Sequence, residues 1–338
     1  MNKDSTMKVI IMAGGYATRL WPITKSKAKP LLPVGTKRIV DHVYEKVLKF
    51  NSPILLSTNK RFEEDFRKWA EGKDVEVVVE DTMREEEKLG AVKALAQVVE
   101  GIDDDFLVVA GDNIFSFELN PIVELFRKKK SPVTALYDVG DYELAKRYGV
   151  AELEGEIVRR FYEKPEKPAS TLVGIAIYTF PREIADLLVE YVGGNERSDN
   201  LGDFLSYLCQ KMDVYGCIFD NGNWYDVGNP DSYIEAFKFY TDSFVHESVE
   251  VAKAAKIIEP VVIERDVVIK GRSIVGPYAY IGEGCEIDSS DVSESVVFSK
   301  TVLKRVRLWR SIIDDDCEIR NIELSGSIIG GHAKIQRG

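Results

Sequence analysis

The chain has 338 residues, 45% apolar and 30% charged, and carries a formal net charge of −11. That describes a globular protein of about two domains, long enough to bury a large core. It disfavours nonspecific binding to nucleic acid or to an anionic membrane, since both need a basic surface, and no apolar run approaches the ~18 residues of a membrane-spanning helix.

Met1–Thr6 is polar and reads as a disordered extension, with Met7 as an alternative start. No signal-peptide pattern is present, so a cytoplasmic location is expected. Val9-Ile10-Ile11-Met12 is an unbroken apolar run, as in a parallel strand covered on both faces. Ala13-Gly14-Gly15 follows at once, and two glycines there allow backbone N–H groups to approach a ligand. Arg19 and Lys29 lie just beyond, spaced by Pro22, Pro30 and Pro33, which forbid one continuous helix. Bare N–H groups with one Arg and one Lys make a cradle for a polyphosphate. It is neither a P-loop, which needs G-x-x-x-x-G-K-[ST], nor the G-x-G-x-x-G dinucleotide loop, whose spacing Tyr16 and Leu20 break.

Helices and strands then alternate, as an α/β sheet requires. Ile39, Val43 and Val47 repeat at helical spacing, residues 53–58 read as a strand, and Phe62, Phe66 and Trp69 mark a helix face. Residues 75–79 form a strand, Leu89, Val92, Ala96 and Val99 a helix, and residues 106–110 a buried strand ending in Gly111-Asp112-Asn113. Ile122, Leu125 and Phe126 belong to a helix whose C-terminal end is the solvated run Lys128-Lys129-Lys130. Residues 150–153 and 157–163 flank Glu154-Gly155 as a hairpin. A strand over 172–180, helices near 184–191 and 201–211, strands over 214–219 and 224–227, and a helix over 233–240 complete this part. The expected fold is a Rossmann-like, mixed but mainly parallel sheet over residues 7–245.

After Val245 the character changes. Ile257, Ile263, Ile269, Val275, Ile281 and Ile287 recur every six residues. Val297/Leu303, Ile313/Ile319 and Ile329/Ile335 keep that interval, with breaks between the pairs. A hexapeptide period marks a β-helix, with one aliphatic per short face pointing inward. A left-handed parallel β-helix is therefore expected over 246–338, with the breaks read as corner insertions or an atypical last coil.

Two acidic residues stand at strand ends, where open α/β sheets place ligands: Asp112, and Asp226 in Trp224-Tyr225-Asp226-Val227-Gly228. On position alone each reads equally well as a turn aspartate. Cys209, Cys217, Cys285 and Cys317 form no C-x-x-C pair, and His42, His246 and His332 are far apart. Zinc, thioredoxin-type and Ser-His-Asp chemistry are accordingly not expected, and the thiols should be free.

Ala13-Gly14-Gly15-x-x-Thr18-Arg19-Leu20-x-Pro22-x-Thr24, followed by Lys29-Pro30-Leu31-Leu32-Pro33-Val34, resembles the signature of the sugar-1-phosphate nucleotidylyltransferases, GGxGTRLxPLT then PKPLLPV. Ala17 stands where that family usually has Gly, and Ala28 where it usually has Pro. The resemblance implies transfer of a nucleotidyl group from a nucleoside triphosphate to a hexose-1-phosphate. It implies a nucleotide site at Ala13, Gly14, Gly15 and Thr18, with Gly90 lining the base, and catalytic roles for Arg19, Lys29 and Asp112. It also implies Mg²⁺ shared by Asp112 and Asp226. Tyr148-Gly149-Val150, Glu163-Lys164-Pro165 and Val173-Gly174 resemble the family's sugar-phosphate segments, so Tyr148, Gly149, Glu163, Lys164, Val173 and Gly174 are the implied acceptor site. Ala91, Val92 and Lys93 depart from the family's base segment, so no base is implied.

Two alternatives are an inactive regulatory subunit of this architecture and a bifunctional enzyme whose β-helix transfers acyl groups. The only histidine of the repeat proper is His332, close to the C-terminus. The β-helix is expected to serve homo-oligomer assembly, because open coil ends and flat faces are sticky unless covered. A chain ending near Val245 is then expected to keep the chemistry.

Overall fold

A computed structural model describes residues 7–194 and 200–337. The expectations for Met1–Thr6 lie outside the described residues. The chain divides into two compact units. One holds the described residues up to Gly15 together with His42–Trp224; the other holds Tyr16–Asp41 and the chain from Tyr225 onward.

The first unit is built on a nine-stranded sheet. In chain order its strands are β1 (Met7–Met12), β2 (Ile54–Asn59), β3 (Val75–Glu80), β4 (Asp105–Ala110), β5 (Val133–Asp138), β6 (Gly149–Glu154), β7 (Ile157–Glu163), β8 (Leu172–Phe180) and β9 (Tyr215–Phe219). The spatial order is β3-β2-β1-β4-β8-β5-β9-β7-β6. β3, β2, β1 and β4 are parallel neighbours. β8 runs antiparallel to both β4 and β5, β9 is parallel to β5, and β7 is antiparallel to β9 and β6. The sheet is mixed and mainly parallel, as expected.

The apolar run in β1 is explained by its central place: Val9, Ile10 and Ile11 are fully buried. Residues of helices Ala91–Val99, Ile184–Gly194 and Leu201–Lys211 join Ile10, Phe106 and Val108 in one core. The 154–155 hairpin is present, with Gly155 at φ 62° supplying the left-handed turn conformation. β5 (Val133–Asp138) has no counterpart among the strands expected from the sequence.

The second unit contains a three-faced parallel β-helix whose strands pair only with the coils before and after. One face is a sheet of six short strands, from Phe244–Val245 to Ile328–Ile329. Val261 lies opposite Ala279, eighteen residues on, but Ala279 lies opposite Ser295, sixteen residues on. The breaks in the hexapeptide pattern are therefore deletions and not insertions. From Glu286 onward a coil takes six, five and five residues on its three faces, as the pairings Glu286↔Val302, Asp291↔Arg307 and Val296↔Ile312 require. The inward ladder survives the change: Ile263, Ile281, Val297 and Ile313 are all fully buried.

From Asp266 onward the corners carry residues at positive φ. Asp266, Gly284, Lys300, Asp316 and His332 fill one such column. Buried hydroxyls cap the corners from coil to coil: Ser311 N donates to Ser295 Oγ, Ser327 N to Ser311 Oγ and Cys317 N to Thr301 Oγ1. Each satisfies a backbone donor that a sharp corner would leave unpaired.

Candidate functional site

The carboxyl ends of β1, β2, β3 and β4 share one edge of the sheet, because Met12 pairs with Ser57 and with Ala110, and Asn59 with Glu80. Parallel α/β sheets bind ligands at this edge. The Ala13 N–H is already used there, donating to Ser57 O at 2.7 Å. Among the described residues no group accepts from the N–H of Gly14 or Gly15, while Gly14 O accepts from Asn59 Nδ2 at 2.9 Å. A Cβ on Gly14 would fall 2.6 Å from Glu80 Oε1, so any larger residue there would have to displace the Glu80 carboxylate, whereas a Cβ on Gly15 would meet nothing.

Glu80 is a residue the sequence did not single out. It is 6% exposed, and burial pushes its carboxyl up to about 7 against the opposing effect of a weak 3.4 Å hydrogen bond from Ser57. The available signal was an acid closing the otherwise apolar run Val77-Val78-Val79. Gly90 sits at φ 83° immediately before helix Ala91–Val99, two residues later than the helix start expected from Leu89. Glu87, last of the triplet Glu85-Glu86-Glu87, accepts from the backbone N–H of Met83 and Arg84 and so orders the turn before it.

Asp112 follows β4 after Gly111. Its Oδ1 accepts from Asn113 Nδ2 at 3.0 Å, and Asn113 Oδ1 accepts from Trp224 Nε1 at 2.8 Å. Tyr148 packs edge-on against Trp224, with ring centroids 5.0 Å apart. The GDN segment, the YGV tyrosine and the later tryptophan are thus one connected group.

Glu163, Gly149 and Gly174 also come together, around the Phe161 ring. A Cβ on Gly149 or Gly174 would strike the Phe161 ring, at 2.4 and 2.8 Å. Gly202, which sequence reasoning missed, makes room for the Glu163 carboxylate: a Cβ there would lie 2.3 Å from Oε2. Lys164 adopts φ 46°, donates its N–H to Tyr148 O, and places Nζ 3.3 Å from Glu163 Oε1. Val173 is fully buried on β8 opposite Val150 and offers packing, not a side chain for contact.

In the second unit, Thr18-Arg19-Leu20 form a short turn preceded by Ala17 at φ 48°. The position where the family prefers Gly is therefore left-handed, and Ala occupies it at a cost of about 1 kcal/mol. Ala28 sits at φ −65°, the value proline would impose, so that departure leaves the path unchanged. Lys29 is 7% exposed. Asp226 and Arg19 both approach Gly228, whose Cβ would lie 3.0 Å from Asp226 Oδ2 and 3.2 Å from Arg19 Nη2. His332 lies at a β-helix corner, its side chain 83% exposed.

Among the described residues no three His, Cys, Asp or Glu side chains cluster as a metal site. Mg²⁺ needs no such cluster, since it keeps several waters and takes one or two carboxylates from protein. A carboxylate offers about four acceptor positions, so an Asp112 whose Oδ1 takes the Asn113 amide suits that donor set.

The sequence model of the nucleotidyl transferase family matches residues 8–243. The chain belongs to the nucleotidyl transferase family. Among its relatives is the bifunctional protein GlmU of Methanocaldococcus jannaschii, 30% identical over 92% of this chain and 78% of that protein. A probable mannose-1-phosphate guanylyltransferase of Oryza sativa subsp. japonica is 25% identical over 97% of this chain and 87% of its own length. Among solved structures, a putative glucose-1-phosphate thymidylyltransferase from Bacillus anthracis, in complex with a sucrose, superposes with a TM-score of 0.63 at 27% identity, covering 72% of this chain and 98% of that one. As a nucleotidyl transferase the chain is an enzyme. Among its described residues no helix is long and apolar enough to cross a membrane.

Proposed function

We propose that this nucleotidyl transferase joins a nucleoside triphosphate to a hexose-1-phosphate, giving an NDP-hexose and pyrophosphate. The observation that carries the reading is the family match over residues 8–243, which contain the glycine loop at the carboxyl edge of four parallel strands. Relatives named for guanylyl and thymidylyl transfer support the donor class without choosing the base.

The Gly14 and Gly15 N–H groups bind the donor phosphates, with Ala13 and Thr18 shaping the loop and Gly90 beside the base. Arg19 holds the departing β- and γ-phosphates, and Lys29 neutralises charge at the α-phosphate. Tyr148, Gly149, Glu163, Lys164 and Gly174, backed by the buried Val173, form the acceptor site, in which Glu163 accepts from sugar hydroxyls and Lys164 meets the sugar phosphate. That phosphate is already ionised near pH 7, so its oxygen attacks the α-phosphorus without a general base. Asp112 and Asp226 are the residues that hold Mg²⁺, which when bound neutralises phosphate charge. The active species is a homo-oligomer assembled through the β-helix.

The test is a matrix of UTP, dTTP, GTP, CTP and ATP against glucose-, mannose- and N-acetylglucosamine-1-phosphate, scored by pyrophosphate release. The reading expects one or a few productive pairs that depend on both substrates; no pyrophosphate from any pair would overturn it.

A further inference from the structure

The segment Tyr16–Asp41, which carries Arg19 and Lys29, packs in the same compact unit as the β-helix. Its attachment is specific. Lys27 Nζ donates to Asp314 Oδ1 at 2.5 Å and also to Asp315 Oδ2, across 287 residues of sequence in the first case. The same amino group lies over the Phe298 ring, 5.0 Å from its centroid. Pro22 rests on Gly330, where a Cβ would come within 2.9 Å of Pro22 Cγ. At the other end of the segment, Tyr233 of helix Pro230–Tyr240 donates its hydroxyl to Pro33 O at 2.8 Å, and a Cβ on Gly35 would fall 2.4 Å from Tyr240 O.

The acidic pair is built into the coils. Asp314 is 3% exposed; its Oδ1 also accepts from Asp315 N at 2.9 Å and its Oδ2 from Gly331 N at 3.2 Å. Asp315 Oδ1 accepts from Ser299 N at 2.9 Å. Backbone donors from successive coils therefore fix both carboxylates on a rigid rod. Burial lowers the Lys27 pKa, and its bonds to the two carboxylates outweigh burial and raise it, so the amino group stays charged. With Asp314 buried and Lys27 and Asp315 partly exposed, these ion pairs are a weak source of net stability compared with apolar packing, but together they fix where the amino group stands.

We propose that Lys27, Asp314 and Asp315 are positioning residues for the phosphate loop, so that the β-helix sets where Arg19 and Lys29 stand and is a working part of the transferase. Lys27 lies two residues from Lys29, and a displacement of a cationic group by about 1 Å can cost on the order of 100-fold in rate. This inference rests on the phosphate-binding role assigned to that loop. It reverses the expectation that a chain ending near Val245 keeps the chemistry, because such a chain lacks both carboxylates.

The full-length variants Lys27→Met, Asp314→Asn and Asp315→Asn, with Lys27→Arg as the conservative change, test it by two readouts. Pyrophosphate release should show kcat falling about 10- to 100-fold in Lys27→Met, with KM for the hexose-1-phosphate changed less than about threefold and partial rescue in Lys27→Arg. Amide hydrogen exchange should accelerate across residues 16–34 and stay unchanged in β1 and β4. Should Asp314→Asn fail to fold, Asp315→Asn, at a side chain 35% exposed, carries the same expectation at smaller size. Unchanged kcat in Lys27→Met, or unchanged exchange over 16–34, overturns the inference. A wild-type protein that releases no pyrophosphate from any substrate pair overturns the proposed function instead, and leaves the exchange readout to decide whether the loop is held from the β-helix.

Discussion

The sheet and the β-helix solve the same problem, burial of parallel strands, with opposite tolerance for polar groups. At the carboxyl edge of β1–β4 the strands end in Asn59 and Glu80 or lead into Gly14 and Asp112, so polar atoms collect at one rim. In the β-helix every coil closes on the next, and the buried polar atoms that remain, such as Ser295 and Ser311, are spent on capping corners. The first arrangement concentrates chemistry, and the second repeats a cross-section. Asp314 and Asp315 are the place where the repeat gives up uniformity for a specific contact.

The largest expected effect separates the two regions by what they lose. Asp112→Asn keeps the size of the side chain and its bond with Asn113 but removes a charge. Turnover should fall by about two to three orders of magnitude, with the melting temperature nearly unchanged. A variant as active as the parent would remove Asp112 from the chemistry.

Ile281→Ala is the converse. Ile281 is fully buried in the inward ladder, and truncation should cost about 2–5 kcal/mol, seen as a lower denaturation midpoint with activity kept well below the transition. A loss under about 0.5 kcal/mol would mean that the coil interior is not close-packed.

Glu80 tests the sheet edge through pH. Its carboxyl is raised to about 7, so the folded state binds a proton more tightly than the unfolded chain does. The contribution is fully present below the unfolded value near 4.5 and is lost as pH rises through about 7. Glu80→Gln should flatten that decline, gaining roughly 2–3 kcal/mol relative to the parent between pH 5 and 8. Parallel stability profiles would show that Glu80 is hydrated. The smallest effect is expected at Ala17, where φ is 48°. Ala17→Gly should relieve the left-handed backbone and change stability by no more than about 1 kcal/mol in the favourable direction; clear destabilisation would mean that the Ala17 methyl packs.

The sheet was largely legible because burial on two faces writes strands such as residues 9–12 and 106–110 as unbroken apolar runs. The β-helix was legible up to Ile287, where the coil is eighteen residues long. Beyond that the spacing alternates between six and five, which a fixed period cannot follow. Site residues in contiguous motifs were visible, as at Gly14 and Asp112. Glu80 and Gly202 were not, because each matters through a neighbour distant in sequence: Gly14 for Glu80, Glu163 for Gly202. The bond from Lys27 to Asp314 and Asp315 was hidden for the same reason.

The central claim is nucleotidyl transfer to a sugar phosphate. Its most direct test is the stoichiometry of the full-length protein with a productive triphosphate, hexose-1-phosphate and Mg²⁺, followed by ³¹P nuclear magnetic resonance. The account predicts one pyrophosphate and one NDP-hexose for each triphosphate consumed, and no consumption when the sugar phosphate is left out. Triphosphate consumed at the same rate without sugar phosphate, or yielding inorganic phosphate and nucleoside diphosphate in place of NDP-hexose, would contradict it.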